Sequence, residues 1–254
     1  MKIMVIGSGG REHAIVWKLS QSAHRPTLYC APGNAGIAEL AECVPLKATD
    51  LDGITAYAKV QSMDLVFVAP DDPLAMGLVN RLQENGIRAF GPTAEAAVLE
   101  ASKAFSKDLM RRYRIPTADY RVFEDTEPAF HYIDTLVPPI VVKADGLALG
   151  KGVIIASSRQ EAKEAVAEML SGAAFGDSGK TVLIEEFLTG RELTVLAFTD
   201  GRTVVPMPNS RDHKRALDND EGLNTGGMGA ICPGEILSEE TERQMMETIF
   251  LPTV

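Results

Sequence analysis

Lys143 and Lys151 flank a glycine-rich stretch, Lys143-Ala144-Asp145-Gly146-Leu147-Ala148-Leu149-Gly150-Lys151-Gly152, and two cations on such a tip suit a lid that closes over polyphosphate. It is not a P-loop, because the Ser or Thr and the spacing of that motif are missing, and alone it would be a solvated turn. Its neighbours change that reading. Glu185-Glu186-Phe187-Leu188 sets a carboxylate at a strand end before an apolar segment whose backbone can read adenine, and Glu192, beyond the turn Thr189-Gly190, offers a second carboxylate for ribose hydroxyls. The full set fits a nucleotide wedged between two sheets, although the glutamates alone would pass for a solvated strand end.

A second group opens the chain. Gly7-Ser8-Gly9-Gly10-Arg11-Glu12-His13 follows an apolar strand and starts a helix, so its glycine amides can form an anion-binding nest for a substrate phosphate; a plain tight turn is the alternative. A nicotinamide dinucleotide is disfavoured, because Glu12 stands where that fingerprint has Gly and the second strand runs into Ala31-Pro32-Gly33-Asn34 without a ribose-binding acid. Farther on, Ser210-Arg211-Asp212-His213-Lys214-Arg215 and Asn224-Thr225-Gly226-Gly227-Met228-Gly229 have the polar and glycine density expected where backbone approaches a charged ligand. His213 has no second His at metal-ligand spacing. Asp218-Asn219-Asp220-Glu221-Gly222 lacks the ligand order of an EF-hand and reads as an acidic surface turn. Cys30, Cys43 and Cys232 are scattered and read as small buried thiols without chemistry.

The elements that must position these residues follow from periodicity. Short apolar runs predict strands over 2–6, 27–31, 64–69 and 87–90, alternating with helices over 11–20, 50–60, 73–85 and 93–101, the pattern of a doubly wound parallel sheet. From Ser102 a helix carries Ala104, Phe105, Leu109 and Met110 as an apolar stripe beside Lys103 and Lys107, and Ile115-Pro116 stops it. A β-hairpin from 139–143 to 152–156 comes next, then a helix with Ala162, Ala165, Val166, Met169 and Leu170 at helical spacing, ended by Gly172. Further strands are expected over 181–184, 193–199 and 203–207, the last two joined at Asp200-Gly201. Residues 208–234 read as one long functional loop, and a last helix capped by Ser238 puts Met245, Met246, Ile249 and Phe250 on one face.

The 254 residues, 45% hydrophobic, suffice for one large domain or two ordinary ones. A net charge of -10 argues against a nucleic-acid surface, so any phosphate must be held locally. The apolar start breaks at Gly7 and there is no long apolar run, so neither a signal peptide nor a membrane span is expected, and the cytosol is the expected compartment.

Together, Gly7-Ser8-Gly9-Gly10-Arg11-Glu12-His13-Ala14, Ala31-Pro32-Gly33-Asn34-Ala35-Gly36, Ser102-Lys103-Ala104-Phe105, Val142-Lys143-Ala144-Asp145-Gly146-Leu147-Ala148, Asp212-His213-Lys214-Arg215 and Asn224-Thr225-Gly226-Gly227-Met228-Gly229 resemble, in order and spacing, the glycinamide ribonucleotide synthetase (phosphoribosylamine–glycine ligase) family of ATP-grasp enzymes. The likeness spans the chain. It implies an α/β fold in which 1–101 is a doubly wound substrate-binding domain, 102–119 a helical connector, 120–191 an ATP-grasp small subdomain and 192–254 the beginning of an incomplete ATP-grasp large subdomain.

The resemblance also implies an ATP-dependent ligation of glycine to 5-phosphoribosylamine through a glycyl phosphate. Lys103 and Lys143 would hold ATP phosphates under the loop bearing Gly150, Lys151 and Gly152, Glu185, Glu186, Phe187 and Leu188 would meet adenine, and Glu192 the ribose. Lys143, Asp212, Lys214 and Arg215 would serve catalysis. Gly9, Gly10, Arg11, Glu12, His13, Asp71, Pro73, Asn224, Thr225, Gly226 and Gly227 would meet the substrates. Asp71, Arg191, Arg211 and Leu223 depart from the family's usual Glu, acid, Gln and Pro. The family's Mg2+ (or Mn2+) ligands lie in a Glu-x-Asn stretch and an Arg-Phe-Gly-Asp-Pro-Glu run that would fall beyond Val254, so the expectation is a fragment with weak ATP binding and little turnover. A nucleotide-binding module without turnover and a Rossmann-type oxidoreductase are the competing readings.

Overall fold

The computed structural model describes residues 1–146, 152–172, 179–218, 221–225 and 227–254, in two compact units, Met1–Ala101 and Ser102–Val254. In the first, β1 (Lys2–Gly7), β2 (Thr27–Pro32), β3 (Glu42–Cys43), β4 (Leu65–Val68) and β5 (Ala89–Phe90) form a parallel sheet in the order β3-β2-β1-β4-β5. This is the doubly wound arrangement expected. β1 is apolar throughout because, at the sheet's centre, helices cover both its faces. Ile3 and Val5 join Val16 of α1 (Gly10–Ser20) in one buried cluster, and Met4 and Ile6 join Ile54 and Ala58 of α2 (Leu51–Val60) in another. The helix expected over 73–85 is instead two, α3 (Asp71–Ala75) and α4 (Leu78–Glu84), because Gly77 interrupts it at φ 84°. α5 (Ala94–Ala101) ends the unit.

The three cysteines differ from the uniform buried reading: Cys30 is buried, Cys43 half-buried and Cys232 exposed. Burial, reinforced by the neighbouring Cys43 and Glu12, pushes the Cys30 thiol up to about 12. Its protonated form is therefore favoured in the fold, and between the ordinary thiol range near 9 and about 12 the unfolded chain loses the proton that the folded chain keeps. Cys30's contribution is full below pH 9 and fades as pH rises through that window. Stability should therefore fall more steeply above pH 9 in the unaltered chain than in a Cys30→Ala variant, measured by urea unfolding at stepped pH; parallel pH curves would defeat this.

In the second unit α6 (Lys103–Tyr113) is followed by β6 (Tyr120–Phe123), α7 (Thr126–Asp134), β7 (Ile140–Ala144), β8 (Val153–Ala156), α8 (Arg159–Leu170) and β9 (Val182–Glu186). The strands make an antiparallel sheet in the order β6-β9-β7-β8, and β7 with β8 is the expected hairpin. Ser158 accepts from the Glu161 amide to start α8, and Gly172 leaves it at φ 71°. Sequence periodicity predicts neither β6 nor α7; β6 is an edge strand with a mostly open surface and so carries no clear apolar alternation.

Period two sorts the faces of this sheet. Ile140, Val142 and Ala144 of β7 and Val182 and Ile184 of β9 are buried with Ala129 and Ile133 of α7 and Ala162, Val166 and Met169 of α8. The alternate residues, Lys143 on β7 and Glu185 on β9, consequently lie on the face turned away from α7 and α8. Tyr120 shares that face, since its register partner is Glu185.

The remainder is thinner. Short hairpin strands β10 (Ala197–Thr199) and β11 (Val204–Pro206) flank Asp200-Gly201 as expected, with Asp200 accepting from the Arg202 and Thr203 amides. The long loop expected over 208–234 instead contains four short strands: β12 (Arg211–Asp212) pairs with β15 (Ala230–Ile231), and β13 (Arg215–Leu217) with β14 (Glu221–Asn224). Ladders so short and so exposed need no alternating hydrophobicity, which is why periodicity misses them. α9 (Glu239–Met245) starts at the expected cap, Ser238, continues through a π-helical segment, Met246–Phe250, and ends in α10 (Leu251–Thr253). Past Ile184 no described apolar side chain is buried. No described helix is long and apolar enough to cross a membrane.

Candidate functional site

The first unit's glycine loop already holds an anion, and it is the protein's own. Glu12, 5% exposed in the first turn of α1, turns its carboxylate back so that Oε2 accepts from the Gly9 amide at 2.6 Å. A Cβ on Gly7 would lie 2.5 Å from Glu12 Cγ and 2.9 Å from Oε2. The nest read from the glycines is therefore partly filled from within, by Glu12 on the Gly9 amide. Around it the carboxyl ends of the strands bring other expected residues together. The Arg11 guanidinium donates to the Ala69 carbonyl at 2.9 Å and lies 3.7 Å from Asp71. The His13 ring packs on Gly36, where a Cβ would approach it to 2.5 Å. Asn34 donates to the Ser8 carbonyl, tying the second loop to the first. Pro73 is buried in α3, so it shapes the loop rather than facing a ligand. Gly10 has open space where a side chain would stand.

In the second unit a buried carboxylate organises the site. Glu185, 4% exposed, receives Lys143 at 2.8 Å and Lys107 at 3.2 Å, both on Oε2, while Oε1 is buried without a hydrogen-bond partner among the described residues. Lys107 is the residue that sequence reasoning missed. Of the apolar stripe expected on α6, Ala104, Leu109 and Met110 are half-buried and Phe105 is exposed, while Lys107 is the helix's one buried residue. The available signal was its position one helical turn after Lys103. Its ammonium also donates to Thr117 Oγ1 at 2.8 Å and to the Ala118 carbonyl at 3.1 Å, and it lies 5.5 Å from the centre of the Tyr120 ring.

Lys103 begins α6 and its ammonium donates to the carbonyls of Asp145, at 3.2 Å, and Gly146, at 2.9 Å, just past the strand that carries Lys143. Asp145, given no role by the sequence, holds the start of α6 by accepting from the Ala104 amide at 2.6 Å and from Ser102 Oγ. The Gly152 carbonyl accepts from the Ala144 amide, whereas Gly150 and Lys151 lie outside the described residues. The Glu186 amide donates to the Asp119 carbonyl, and its side chain accepts from the Asp119 amide; Phe187 and Leu188 are exposed beyond it.

Glu192 meets Lys214 at 2.5 Å, and Lys214 lies 3.9 Å from Asp212, so an expected ribose acid and two expected catalytic residues form one cluster. Thr225 packs beside them, its amide and hydroxyl both donating to the Lys214 carbonyl. Gly227 comes close to Asp212, where a Cβ would sit 3.5 Å from the carboxylate. Arg211, His213, Arg215 and Met228 line an adjoining cavity of about 540 Å³. Arg191, by contrast, is engaged with Glu235 at 2.6 Å. Gly226 and the side chain of Asn224 lie outside the described residues. Among the described residues no three His, Cys, Asp or Glu side chains group closely enough to hold a metal ion.

The hairpin sheet with its lysine–glutamate face, followed by the short-stranded segment, is an ATP-grasp arrangement. At 17% identity the D-alanine–D-alanine ligase of Bacillus anthracis, solved with ATP, shares this fold with a TM-score of 0.66 over 99% of this chain and 76% of that one. Family models match in tandem: phosphoribosylglycinamide synthetase, N domain, over residues 1–100, and phosphoribosylglycinamide synthetase, ATP-grasp (A) domain, over 101–254. The chain belongs to the phosphoribosylglycinamide synthetase family. It is 51% identical to the phosphoribosylamine–glycine ligase of Xanthomonas axonopodis and 48% identical to that of Escherichia coli, in each case over 100% of this chain. The crystal structure of the Thermotoga maritima phosphoribosylamine–glycine ligase superposes with a TM-score of 0.84 at 34% identity, covering 60% of that chain. This chain spans 59% and 60% of the lengths of the Xanthomonas and Escherichia coli relatives.

Proposed function

We propose that this chain supplies the nucleotide- and substrate-binding part of a cytoplasmic phosphoribosylamine–glycine ligase. The observation that carries the reading is the buried Glu185, whose Oε2 is shared by two lysines while Oε1 has no partner among the described residues. A ligand completing it must bring a donor for the carboxylate and anionic oxygen for the half-open Lys143, and an adenine amine joined to phosphates brings both. In this reading 1–101 binds phosphoribosylamine, 102–119 is the connector, 120–191 is the ATP-grasp small subdomain and 192–254 begins the large one. Lys103 and Lys143 meet phosphates beneath Gly150, Lys151 and Gly152, and Glu185 to Leu188 border adenine. Glu192 meets the ribose.

The reaction is written for the family's ligase. A carboxylate oxygen of glycine attacks the terminal phosphorus of ATP, the bond to the bridging oxygen breaks and ADP leaves. The nitrogen of 5-phosphoribosylamine then attacks the carbonyl carbon of glycyl phosphate, phosphate leaves and the nitrogen releases a proton. Such chemistry asks for positioning and charge neutralisation, which this reading assigns to Lys143, Asp212, Lys214 and Arg215. Arg11, with Asp71 and the Glu12-filled loop, borders the phosphoribosylamine site, alongside Gly9, Gly10 and His13. Asn224, Thr225, Gly226 and Gly227 border glycine. A divalent cation would supply further neutralisation of phosphate charge in such a transfer, and among the described residues no three His, Cys, Asp or Glu side chains group closely enough to hold one. A module that binds nucleotide without turnover is the second reading.

Calorimetric titration with ATP tests the reading. Lys143→Met should weaken ATP binding by about 10- to 100-fold, the loss of a charge-assisted hydrogen bond to phosphate. Equal affinity in both proteins would remove Lys143 from the site. ADP release with glycine and phosphoribosylamine then separates the ligase from the non-turning module.

A further inference from the structure

Two lysines reach one oxygen of Glu185, and they are built differently. The Lys107 ammonium donates to Thr117 Oγ1 and the Ala118 carbonyl and is ion-paired with Glu185 Oε2 at 3.2 Å, and its side chain is 10% exposed. Lys143 has Glu185 Oε2 as its one acceptor among the described residues, and its side chain is 27% exposed. One cation is enclosed and held from three sides. The other is half-open with donors to spare.

A buried carboxylate with a single lysine would hold that lysine tightly, because removing it strands an unpaired charge in a poorly solvated place. We propose that Lys107 is a positioning residue: as the fixed counter-cation of Glu185, it lets Lys143 leave the carboxylate for an anionic ligand oxygen without stranding Glu185. The ligand half of this rests on the nucleotide reading above; the charge relay itself does not. Lys107 needs no contact with the ligand. α6 carries it, and Thr117 and Ala118, between α6 and β6, supply its other acceptors. Tyr120, the register partner of Glu185, lies beneath it. The expectation for Lys103, Lys143 and Glu185 as a ligand-binding set thereby gains a member that acts through Glu185 alone.

The test reads the amine of Lys143 directly, by its rate of acetylation in trace-labelling mass spectrometry, beside ATP affinity by calorimetry. The proteins are the full chain, Lys107→Met, Lys107→Gln, Lys107→Arg and Lys107→Met with Glu185→Gln. Lys107→Met should slow labelling of Lys143 about three- to tenfold and weaken ATP about tenfold, because Glu185 then keeps Lys143 for itself. Lys107→Gln, which retains polar contact with Thr117 and Ala118, should do the same. Lys107→Arg should stay near the unaltered chain. Adding Glu185→Gln should restore the labelling rate, which a packing defect at Lys107 would not allow. Unchanged labelling in Lys107→Met and Lys107→Gln, or slow labelling that persists with Glu185→Gln, overturns the relay. Labelling as expected without ATP binding to the unaltered chain supports the relay and sinks the nucleotide reading alone.

Discussion

Glu185→Ala should destabilise the second unit by about 3–5 kcal/mol, the cost of removing one partner from a buried ion pair. The size follows from what is left behind. Lys107 is 8% exposed and cannot reach water without giving up Thr117 and Ala118, so its charge would be buried without a counter-anion. Lys143 is more open and can turn outward, so it adds little to the loss. The cavity left by the shortened side chain adds a smaller penalty in the same direction. Urea unfolding followed by circular dichroism would give the figure, with Lys107→Met added to Glu185→Ala as the control. The double variant buries no lone cation and should recover most of the loss. A single-variant loss below about 1 kcal/mol would mean that water reaches Lys107 in solution and that the triad is not a buried one.

Gly7→Ala should cost the first unit about 2–6 kcal/mol, from two sources that can be separated. Gly7 has φ 124°, a conformation that side chains rarely adopt, and holding an alanine there costs about 1–3 kcal/mol. The new Cβ would also meet Glu12, whose Cγ and Cδ lie 2.5 and 2.6 Å from its position. Glu12 cannot simply withdraw, because it is buried and caps the Gly9 amide, so the clash resembles overpacking worth about 1–3 kcal/mol. Trp17, the single tryptophan, lies on α1 directly after this loop and reports unfolding of the unit by fluorescence. Gly7→Ala combined with Glu12→Ala removes the clash but not the backbone strain, and should fall short of the sum of the two single losses. Strict additivity would show that Gly7 and Glu12 do not press on one another, and the filled-nest description would fail.

The sequence by itself determined the elements whose burial is complete. β1, β7 and β9 announce themselves as apolar runs because their faces are covered, and α8 shows its buried stripe at helical spacing between Ser158 and Gly172. The doubly wound first unit and the family membership were both legible, the latter because six short motifs recur in order. Lys143 and Glu185 were legible as a pair of types, but it is the β7–β9 register, Val141 opposite Glu185, that puts them on one face. Less could be read where burial is partial. β6, β12 and β13 have open faces and need no alternation, and the break at Gly77 depends on a backbone angle that composition does not print.

Only the tertiary structure decided what neutralises what. Glu12 looked like a departure from a glycine fingerprint, and became the anion of its own loop once α1 folded its carboxylate back onto Gly9. Lys107 looked like one more solvated cation beside an apolar stripe, and became the buried partner of a residue 78 positions later in the chain. The physical reason is the same in both. A local pattern records how often a face meets solvent, whereas the pairing of charges depends on distances between elements remote in sequence, and those exist only once the sheet has closed.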